Sequence, residues 1–334
     1  MTKIDFVIPW VDGNDPAWRA EKQKYQVDKT AEADNGDCRY RDWDILKYWF
    51  RSVEKNAPWV NRIHFVSCGQ VPDFLNTEHP KLHMVSHADY IPHRYLPTFS
   101  SRCIELNFHR IEGLSEHFVY FNDDMFLNQA VSEDEFFRDG KPCYFFMYRR
   151  IRKPSASAGA NESARCRDAE TVYRHFGRMD AFRSGPLNVV HPSYGIKTIL
   201  WNLYMMTRRE LVDFMDLHVA VPVLKSTMQT VWREEPALME RSSSHRFRDK
   251  QDLNQYIFRY WDLARGNFVP HRSSTACYGI AQRSIDSIRR EITQGLHALI
   301  CLNDAEDCDD YEGCKAQMIA AFEARYPERS SFEK

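Results

Sequence analysis

Short strand-like runs alternate with helical patterns over the first 130 residues, and this alternation limits the chain to a few folds. Apolar runs rich in β-branched and aromatic residues predict four strands, at 4–11, 62–67, 81–86 and 117–121. Apolar residues at helical spacing predict the helices between them, at 17–25, 44–56 and 101–112. The sequence therefore predicts an α/β fold with a doubly wound, mostly parallel sheet of the Rossmann-like kind.

The second half of the chain has a different pattern. A basic cluster at 149–153, followed by small residues at 154–160, marks a soft boundary. Beyond it helical periodicity dominates, at 169–176, 199–215, 224–240, 252–263 and 311–324. We expect an α/β half at 1–150 and a helix-rich half at 151–334. The two halves can also form one continuous domain.

Charge, hydropathy and cysteine content exclude several classes of protein. The 45 Lys and Arg residues nearly balance 47 Asp and Glu residues, which argues against bulk nucleic acid as the main partner. No apolar run approaches the length of about 18 residues that a membrane span needs, and the run at 4–10 is too short for a signal peptide. We therefore expect a cytoplasmic protein. Its nine irregularly spaced cysteines are expected to be reduced thiols, with a structural zinc site improbable.

Acidic residues follow two of the predicted strands. Asp12 and Gly13 come after the first strand, and Asn122, Asp123 and Asp124 come after the fourth. Parallel sheets bind ligands at the carboxyl ends of their strands, and Mg²⁺ or Mn²⁺ bridging a diphosphate prefers oxygen ligands. These residues are therefore candidates for a metal and donor site. Solvated turns are the alternative, since Asp-Gly is also a common turn sequence.

Candidate bases and phosphate-binding cations lie in the second half. His218 ends a helical stretch, and Lys225 and Arg248 follow it. A histidine can act as a general base, and a Lys or Arg can hold a phosphate. Spacing alone does not show that these side chains converge.

Four ordered sequence blocks resemble the conserved regions of the Stealth family. The first region is similar to IDFVIPWVDG at 4–13. The second is similar to three segments: 39–59, which begins with RYRDWD, LPTF at 96–99 and HFVYFNDDMFL at 117–127. HVAVPVLKS at 218–226 with FRDKQDLN at 247–254 resembles the third, and CLND at 301–304 the fourth. The resemblance thus covers nearly the whole chain.

The family contains bacterial capsular and exopolysaccharide phosphotransferases and the catalytic subunit of the lysosomal-enzyme N-acetylglucosamine-1-phosphotransferase. The resemblance implies a glycosyltransferase-A-like fold and transfer of a hexose 1-phosphate, expected to be N-acetylglucosamine 1-phosphate, from a UDP-sugar to a saccharide hydroxyl. The products would be a phosphodiester and UMP. The resemblance also implies that the protein works beside membrane-bound machinery for polysaccharide assembly. We therefore expect peripheral association at the inner face of the plasma membrane, with the Arg-rich middle of the chain against lipid head groups.

The resemblance also implies roles for single residues. The implied catalytic set is Asp12, His218, Arg248 and Asp304. The implied donor-binding residues are Trp10, Gly13, Arg41, Asn122 and Lys225. The implied ligands of a Mg²⁺ or Mn²⁺ ion are Asp123, Asp124 and Asp304. The chain departs from the family at Ser100, where many members have Asn, and at Ala220, where bacterial members often have Pro.

Two other functions are compatible with the same pattern. An ordinary glycosyltransferase would direct the hydroxyl at the anomeric carbon and release UDP instead of UMP. A non-catalytic sugar-binding or nucleotide-binding module would be expected to lose part of the catalytic set, but all four residues are present.

Overall fold

The computed structural model describes residues 2–26, 41–152, 154–155, 158–304, 308 and 310–334. The polar, Gly-containing segment at 29–38, for which the sequence predicts a loop, lies outside these residues. The strands are β1 (Ile4–Pro9), β2 (Arg62–Ser67), β3 (Leu82–Ser86), β4 (His117–Tyr120), β5 (Met125–Leu127), β6 (Phe137–Arg138), β7 (Lys141–Tyr144), β8 (Tyr148–Arg150), β9 (Val212–Phe214), β10 (Val221–Leu224), β11 (Val269–Pro270), β12 (Thr275–Ile280) and β13 (Leu299–Asp304). The α-helices are Pro16–Tyr25, Leu46–Asn56, His87–Tyr90, Ser101–Leu106, Ala160–His175, Asp180–Ser184, Leu187–Val190, Ile196–Met206, Lys225–Glu234, Pro236–Ser244, Tyr256–Arg265, Ile285–Gln294 and Tyr311–Arg325.

A five-stranded sheet in the order β10-β4-β1-β2-β3 forms the centre of the fold. β1 to β4 run parallel, and β10 is antiparallel to β4, which confirms the predicted α/β class and the mostly parallel sheet. The chain adds β2 and β3 on one side of β1 and β4 on the other. The carboxyl ends of β1 and β4 therefore flank a topological switch point, where open α/β sheets bind ligands.

Alternation of side chains along β1 explains why this strand is buried on both faces. Ile4, Phe6 and Ile8 pack into one hydrophobic cluster, and Val7 packs into a second cluster on the opposite face. Successive side chains of a strand point to opposite faces, so helices must cover both sides of the sheet. The first cluster includes the helix Leu46–Asn56 and the second includes the helix Tyr256–Arg265.

Strands from the second half of the chain pair with strands from the first half. Val221 of β10 lies opposite Tyr120 of β4, and Cys301 of β13 lies opposite Met125 of β5. The backbone N–H of Leu302 also donates to the carbonyl of Asp124 at 2.8 Å. Segments from both sides of residue 150 therefore meet at the carboxyl end of the central sheet.

Two helices predicted from periodicity are shorter than expected. The predicted helix at 199–215 ends at Met206, and Val212–Phe214 instead pairs as β9 with β8. The predicted helix at 224–240 begins with the strand residue Leu224 and is interrupted at Glu235, because Pro236 lacks an N–H and starts a new helix.

Within the described ranges, no helix is both long and apolar enough to span a bilayer.

Candidate active site

A cavity of about 600 Å³ opens at the carboxyl ends of β1 and β4, beside the end of β13. Eight of the eleven predicted site residues line it: Trp10, Arg41, Asn122, Asp123, Asp124, His218, Arg248 and Asp304. They come from all four sequence blocks. The fold thus brings together side chains that are up to 294 positions apart in the chain.

Carboxylates crowd one wall of this cavity. Desolvation at the cavity wall raises the pKa of Asp123 to about 7 although the residue is solvent-exposed, and the negative charges of Asp124 and Asp42 add to the shift. Desolvation also raises the pKa of Asp42, against a hydrogen bond from the backbone N–H of Asp44, with the charge of Asp12 contributing. A group of acids that raise each other's pKa favours a cation in their midst, because the cation offsets their repulsion.

Asp124 is the best placed of these carboxylates to bind a cation. Its Oδ1 atom is buried and has no hydrogen-bond partner among the described residues. Its Oδ2 atom accepts a hydrogen bond from the thiol of Cys301 at 3.4 Å and lies 3.9 Å from Nε2 of His218. Burial raises the pKa of Asp124 even though the nearby His218 opposes the shift. Asp123 and Asp304 line the same cavity, and carboxylate oxygens are the ligands that a hard divalent cation prefers.

A second donor set overlaps the first. Ligand atoms of Asp124, His218 and Cys301 all lie within 4.8 Å of one another. Oxygen, nitrogen and sulfur donors together are typical of sites for softer ions than Mg²⁺. Among the described residues, this close cluster contains Asp124 but neither Asp123 nor Asp304, so the carboxylate set for a hard cation stays a prediction.

His218 is held by its backbone and by its ring. Its φ angle of 47° lies in the left-handed region, which costs an L-residue of this kind about 1 kcal/mol and is often found at functional sites. Its backbone N–H donates to Oδ1 of Asp216 at 3.0 Å, and its Nδ1 atom lies 3.0 Å from the hydroxyl of Tyr256. Ring and backbone are thus fixed by two different neighbours.

The Tyr256 hydroxyl contacts one ring nitrogen of His218 and leaves the other facing the cavity. Burial raises the pKa of Tyr256 well above its ordinary value, and the charge of Asp216 and its hydrogen bond to the hydroxyl add to the shift. In the tautomer with its proton on Nδ1, His218 donates to the hydroxyl oxygen. Nε2, on the side of Asp124, is then the nitrogen that can accept a proton.

Arginines line the opposite part of the cavity. Nη2 of Arg248 donates to the hydroxyl of Ser101 at 2.9 Å. Arg102 pairs with Asp252 at 3.1 Å and Arg165 with Asp213 at 3.4 Å, so both are held by buried carboxylates. These guanidinium groups give an anionic ligand cationic contacts within the cavity, although the whole chain is close to neutral.

Asp12 and Gly13 lie in the turn after β1 and are not part of the cavity wall. Gln70 holds this turn: its side-chain oxygen accepts from the N–H of Asp12 at 2.9 Å, and its amide donates to Asp15 at 2.8 Å. Asp12 nevertheless acts on the cavity through its charge, which contributes to the raised pKa of Asp42.

Lys225 is not brought to the cavity. Its Nζ atom donates to the carbonyl of Leu114 at 3.3 Å, and the preceding Leu224 pairs with His117 at the amino end of β4. Because β10 runs antiparallel to β4, the strand places His218 near the carboxyl end of β4 and carries Lys225 to the other end. The predicted contact between Lys225 and the donor is incompatible with this position.

Thirteen further polar residues line the cavity but were not among the predicted site residues: Asp42, His87, Thr98, Ser101, Arg102, Glu105, Asn161, Arg165, Asp216, Asn254, Gln255, Tyr256 and Asn303. Asp42 lies inside the RYRDWD block, and Asp216 precedes His218 by two positions, so proximity to a motif was an available signal for both. Tyr256 follows the 247–254 block by two positions. Arg165 had no such signal, because only the packing of the helix Ala160–His175 brings it to the site.

Comparison with known proteins gives full-length relatives. Stealth protein CR1, conserved region 1, matches residues 2–26, and Stealth protein CR2, conserved region 2, matches residues 39–144. The capsular polysaccharide phosphotransferase WcwK of Streptococcus pneumoniae is 36% identical over 340 residues, and the receptor polysaccharide phosphotransferase WefC of Streptococcus oralis is 38% identical over 336; each alignment covers 100% of both chains. The exopolysaccharide phosphotransferase cps2G of Lactiplantibacillus plantarum is 33% identical, with 99% of this chain and 96% of the relative covered.

Among solved structures, the crystal structure of the galactosyltransferase LgtC covers 95% of both chains with a TM-score of 0.37 and 10% sequence identity. A similarity this weak does not indicate which residues form the site.

Proposed function

The chain belongs to the Stealth family of phosphotransferases, and from this membership we propose that it transfers N-acetylglucosamine 1-phosphate from UDP-N-acetylglucosamine to a saccharide hydroxyl in capsular or exopolysaccharide synthesis. The names of the full-length relatives support transfer of a phosphorus-containing group to a polysaccharide. The observation that carries the proposal is the single cavity in which His218, Arg248 and the Asp123–Asp124 pair meet. Residues from both predicted halves of the chain line it.

In the proposed reaction His218 is the general base. Nε2 of His218 takes the proton of the acceptor hydroxyl as the oxygen attacks the β-phosphorus of the donor. A bond forms between that oxygen and phosphorus, and the bond from phosphorus to the bridging oxygen breaks. UMP leaves with the electron pair. Asp124, with Oδ2 at 3.9 Å from Nε2, stabilises the imidazolium that results.

Arg248 is proposed to bind the transferring phosphoryl group. Its guanidinium lines the cavity and is anchored through Nη2 on Ser101, which leaves the planar group held in one orientation. Guanidinium donors suit phosphoryl oxygens because they can form two parallel hydrogen bonds, and in a confined site they stabilise charge that develops during transfer.

Oxygen atoms of Asp123, Asp124 and Asp304 are proposed to hold a divalent cation, Mg²⁺ or Mn²⁺. The unpartnered Oδ1 of Asp124 and the raised pKa of Asp123 support this proposal, because both are relieved by a bound cation. When bound, such an ion neutralises charge on the diphosphate. Arg41 lies 3.7 Å from Asp304 through Nε and keeps that carboxylate on the cavity side.

The donor is proposed to lie along the wall formed by the end of β1. Trp10 is partly exposed in the cavity and rests against Phe65 at a centroid distance of 5.8 Å, so its free face is available to a base or sugar ring. Asn122 and Arg41 supply polar contacts from the same side. Asp12 and Gly13 position this wall from the turn behind it.

The leaving group tests the proposal. The enzyme is incubated with Mg²⁺, UDP-N-acetylglucosamine and a panel of oligosaccharides, and nucleotides are separated by ion-exchange chromatography while ³¹P NMR detects the product. UMP together with a phosphodiester resonance is expected. Accumulation of UDP would instead identify an ordinary glycosyltransferase.

Two histidine variants control this experiment. His218→Ala is expected to abolish release of UMP while donor binding, measured by calorimetry, stays close to wild type. His93→Ala changes an exposed histidine outside the cavity wall and should retain full turnover. Near wild-type turnover in His218→Ala would remove His218 from the mechanism.

A further inference from the structure

We propose that the outer face of the helix Ile196–Met206, together with Leu187, is a docking surface for an anionic lipid bilayer. This inference rests on the proposed function in one respect: it places the saccharide acceptor at a membrane surface. The surface itself is defined by five residues, and we call it the apolar patch: Leu187, Ile196, Leu200, Leu203 and Tyr204.

Exposed apolar side chains are concentrated in this patch. Seven large apolar residues are strongly exposed in the described part of the chain, and five of them belong to the patch. Ile196 is 67% exposed and Leu200 59%. Monomeric proteins rarely expose large apolar side chains side by side, so a contiguous set marks a contact surface.

The helix presents these residues on one face. Ile196, Leu200, Leu203 and Tyr204 are spaced by 4, 3 and 1 positions, which places them on one side of an α-helix. The opposite side holds the polar residue Asn202, whose Nδ2 donates to the carbonyl of Phe146 at 3.1 Å and to that of Val189 at 3.2 Å. The helix is therefore oriented with apolar residues outward and an amide inward, the reverse of an ordinary surface helix.

This orientation is firmly held. Oδ1 of Asn202 accepts from the backbone N–H of Tyr148 at 3.1 Å, and the indole N–H of Trp201 donates to the carbonyl of the same residue at 2.6 Å. Met205 is fully buried beneath the helix. The apolar patch is thus a consequence of a well-packed inner face and does not require the helix to rotate.

Charge around the patch fits an anionic surface. No Asp or Glu occurs in the 29 residues from 181 to 209, although the average of 47 in 334 would give about four. The same segment contains Arg183, Lys197, Arg208 and Arg209, all exposed. Lys197 and Arg209 form no ion pair with any residue that the structure describes. An apolar face bordered by cations is typical of helices that lie in a membrane interface.

The Arg-rich middle of the chain, in which we expected the lipid contact, is less suited to it. Arg149 pairs with Asp213 and Arg150 with Glu210. Arg174 pairs with Glu235, and Arg178 donates to two backbone carbonyls, of Met205 and Glu210. These arginines stabilise the fold. The contact with lipid head groups is assigned instead to the exposed basic residues beside the apolar patch.

The position of the patch in the chain connects it to the site. The helix ends at Met206, β9 follows, and β9 leads into Asp216 and His218. The catalytic histidine is thus 14 residues from Tyr204. An enzyme docked through this patch would meet an acceptor saccharide that is carried by a membrane lipid.

Vesicle binding tests the inference. The full chain is sedimented with vesicles of phosphatidylcholine alone or of phosphatidylcholine mixed with phosphatidylglycerol. Binding to the mixed vesicles is expected, with weakening at high salt. Leu200→Asp combined with Leu203→Asp should reduce binding at least about tenfold, and Lys197→Gln about fivefold. Val71→Asp combined with Leu296→Asp alters two exposed apolar residues elsewhere and should bind as wild type.

Other outcomes would overturn the inference. Failure of the wild-type protein to bind the mixed vesicles would do so. Light scattering gives a second such outcome: the wild type is a dimer, and the variant with Leu200→Asp and Leu203→Asp is a monomer. The patch would then be covered by a second copy of the chain. Release of UMP with a water-soluble acceptor separates this inference from the proposed function: if that release persists without vesicle binding, the docking surface alone is wrong.

Discussion

The Nδ1 atom of His218 lies 3.0 Å from the hydroxyl oxygen of Tyr256. In the tautomer with its proton on Nδ1, the imidazole donates to Tyr256 and Nε2 is available to accept a proton inside the cavity. The carboxylate of Asp216 accepts the backbone N–H of His218 at 3.0 Å, and its hydrogen bond with the Tyr256 hydroxyl contributes to the raised pKa of that tyrosine. One carboxylate thus contacts both the left-handed backbone of the histidine and the tyrosine beside its ring.

Removing the tyrosine hydroxyl should slow the reaction without weakening donor binding. In Tyr256→Phe the Nδ1–H of His218 loses its acceptor and the ring can turn or change tautomer. We expect kcat to fall about tenfold, less than the roughly 10²–10⁴-fold that a general base contributes, because His218 itself remains; the KM for donor should be unchanged. Steady-state kinetics measures both. Tyr260→Phe, one turn along the same helix and bonded to Asp213 outside the cavity wall, should behave as wild type; equal kinetics of the two variants would rule out positioning by Tyr256.

Replacing Arg248 by lysine should reduce turnover much more. Lysine keeps the charge but loses the planar pair of donors, and it cannot both reach Ser101 and bind a phosphoryl oxygen. We expect kcat to fall roughly 100-fold, the lower end of the effect of losing a donor to a developing charge. Arg246→Lys is the control, because Arg246 stacks on Tyr25 with its Cζ 4.8 Å from the ring centroid, outside the cavity wall. A loss in Arg246→Lys as large as that in Arg248→Lys would show that the effect does not depend on the position of Arg248 in the cavity wall.

Lys225→Met should leave catalysis almost intact. The side chain lies at the amino end of β4 and binds the carbonyl of Leu114, so no donor in the cavity reaches it. We expect kcat/KM within about twofold of wild type, and circular dichroism should show an unchanged helix content. A tenfold loss in a correctly folded variant would place Lys225 in the donor site after all.

Asp123→Asn should stabilise the metal-free protein at alkaline pH. The pKa of Asp123 is about 7 when folded against its usual 3.8, so the folded chain holds this proton more tightly. Its contribution to stability is therefore present below about pH 4 and is lost as pH rises to 7. At pH 8 in the presence of a chelator we expect the variant to melt at a slightly higher temperature than wild type, because Asp123 is solvent-exposed and screening weakens the effect, and the difference should vanish near pH 4. Asp73→Asn changes an exposed carboxylate and should shift the melting temperature little at either pH. A lower melting temperature for Asp123→Asn at pH 8 would contradict the raised pKa.

Hydrophobic patterning was sufficient for the four parallel strands of the central sheet. β1 to β4 lie within one or two residues of their predicted positions, because each is a short apolar run with a turn signal at its end. Periodicity failed around 207–215 and at Glu235, where a polar bend and a proline interrupt apolar patterns of helical spacing. The pairing of β10 with β4 could not be read locally, since it depends on a contact across about 100 residues.

Local sequence determined the chemistry available to this protein: acids at the ends of strands, a histidine before β10 and an arginine in a polar block. Each of these follows from short-range patterns in the chain. Tertiary structure alone decided which of them meet. The antiparallel direction of β10 brings His218 to the carboxyl end of β4 and takes Lys225 to the other end, and the helix packing beside it adds Tyr256 and Arg165 to the cavity. The physical reason is that a strand's direction and the buried face of a helix are set by burial of apolar side chains over long distances in the sequence, which no local pattern encodes.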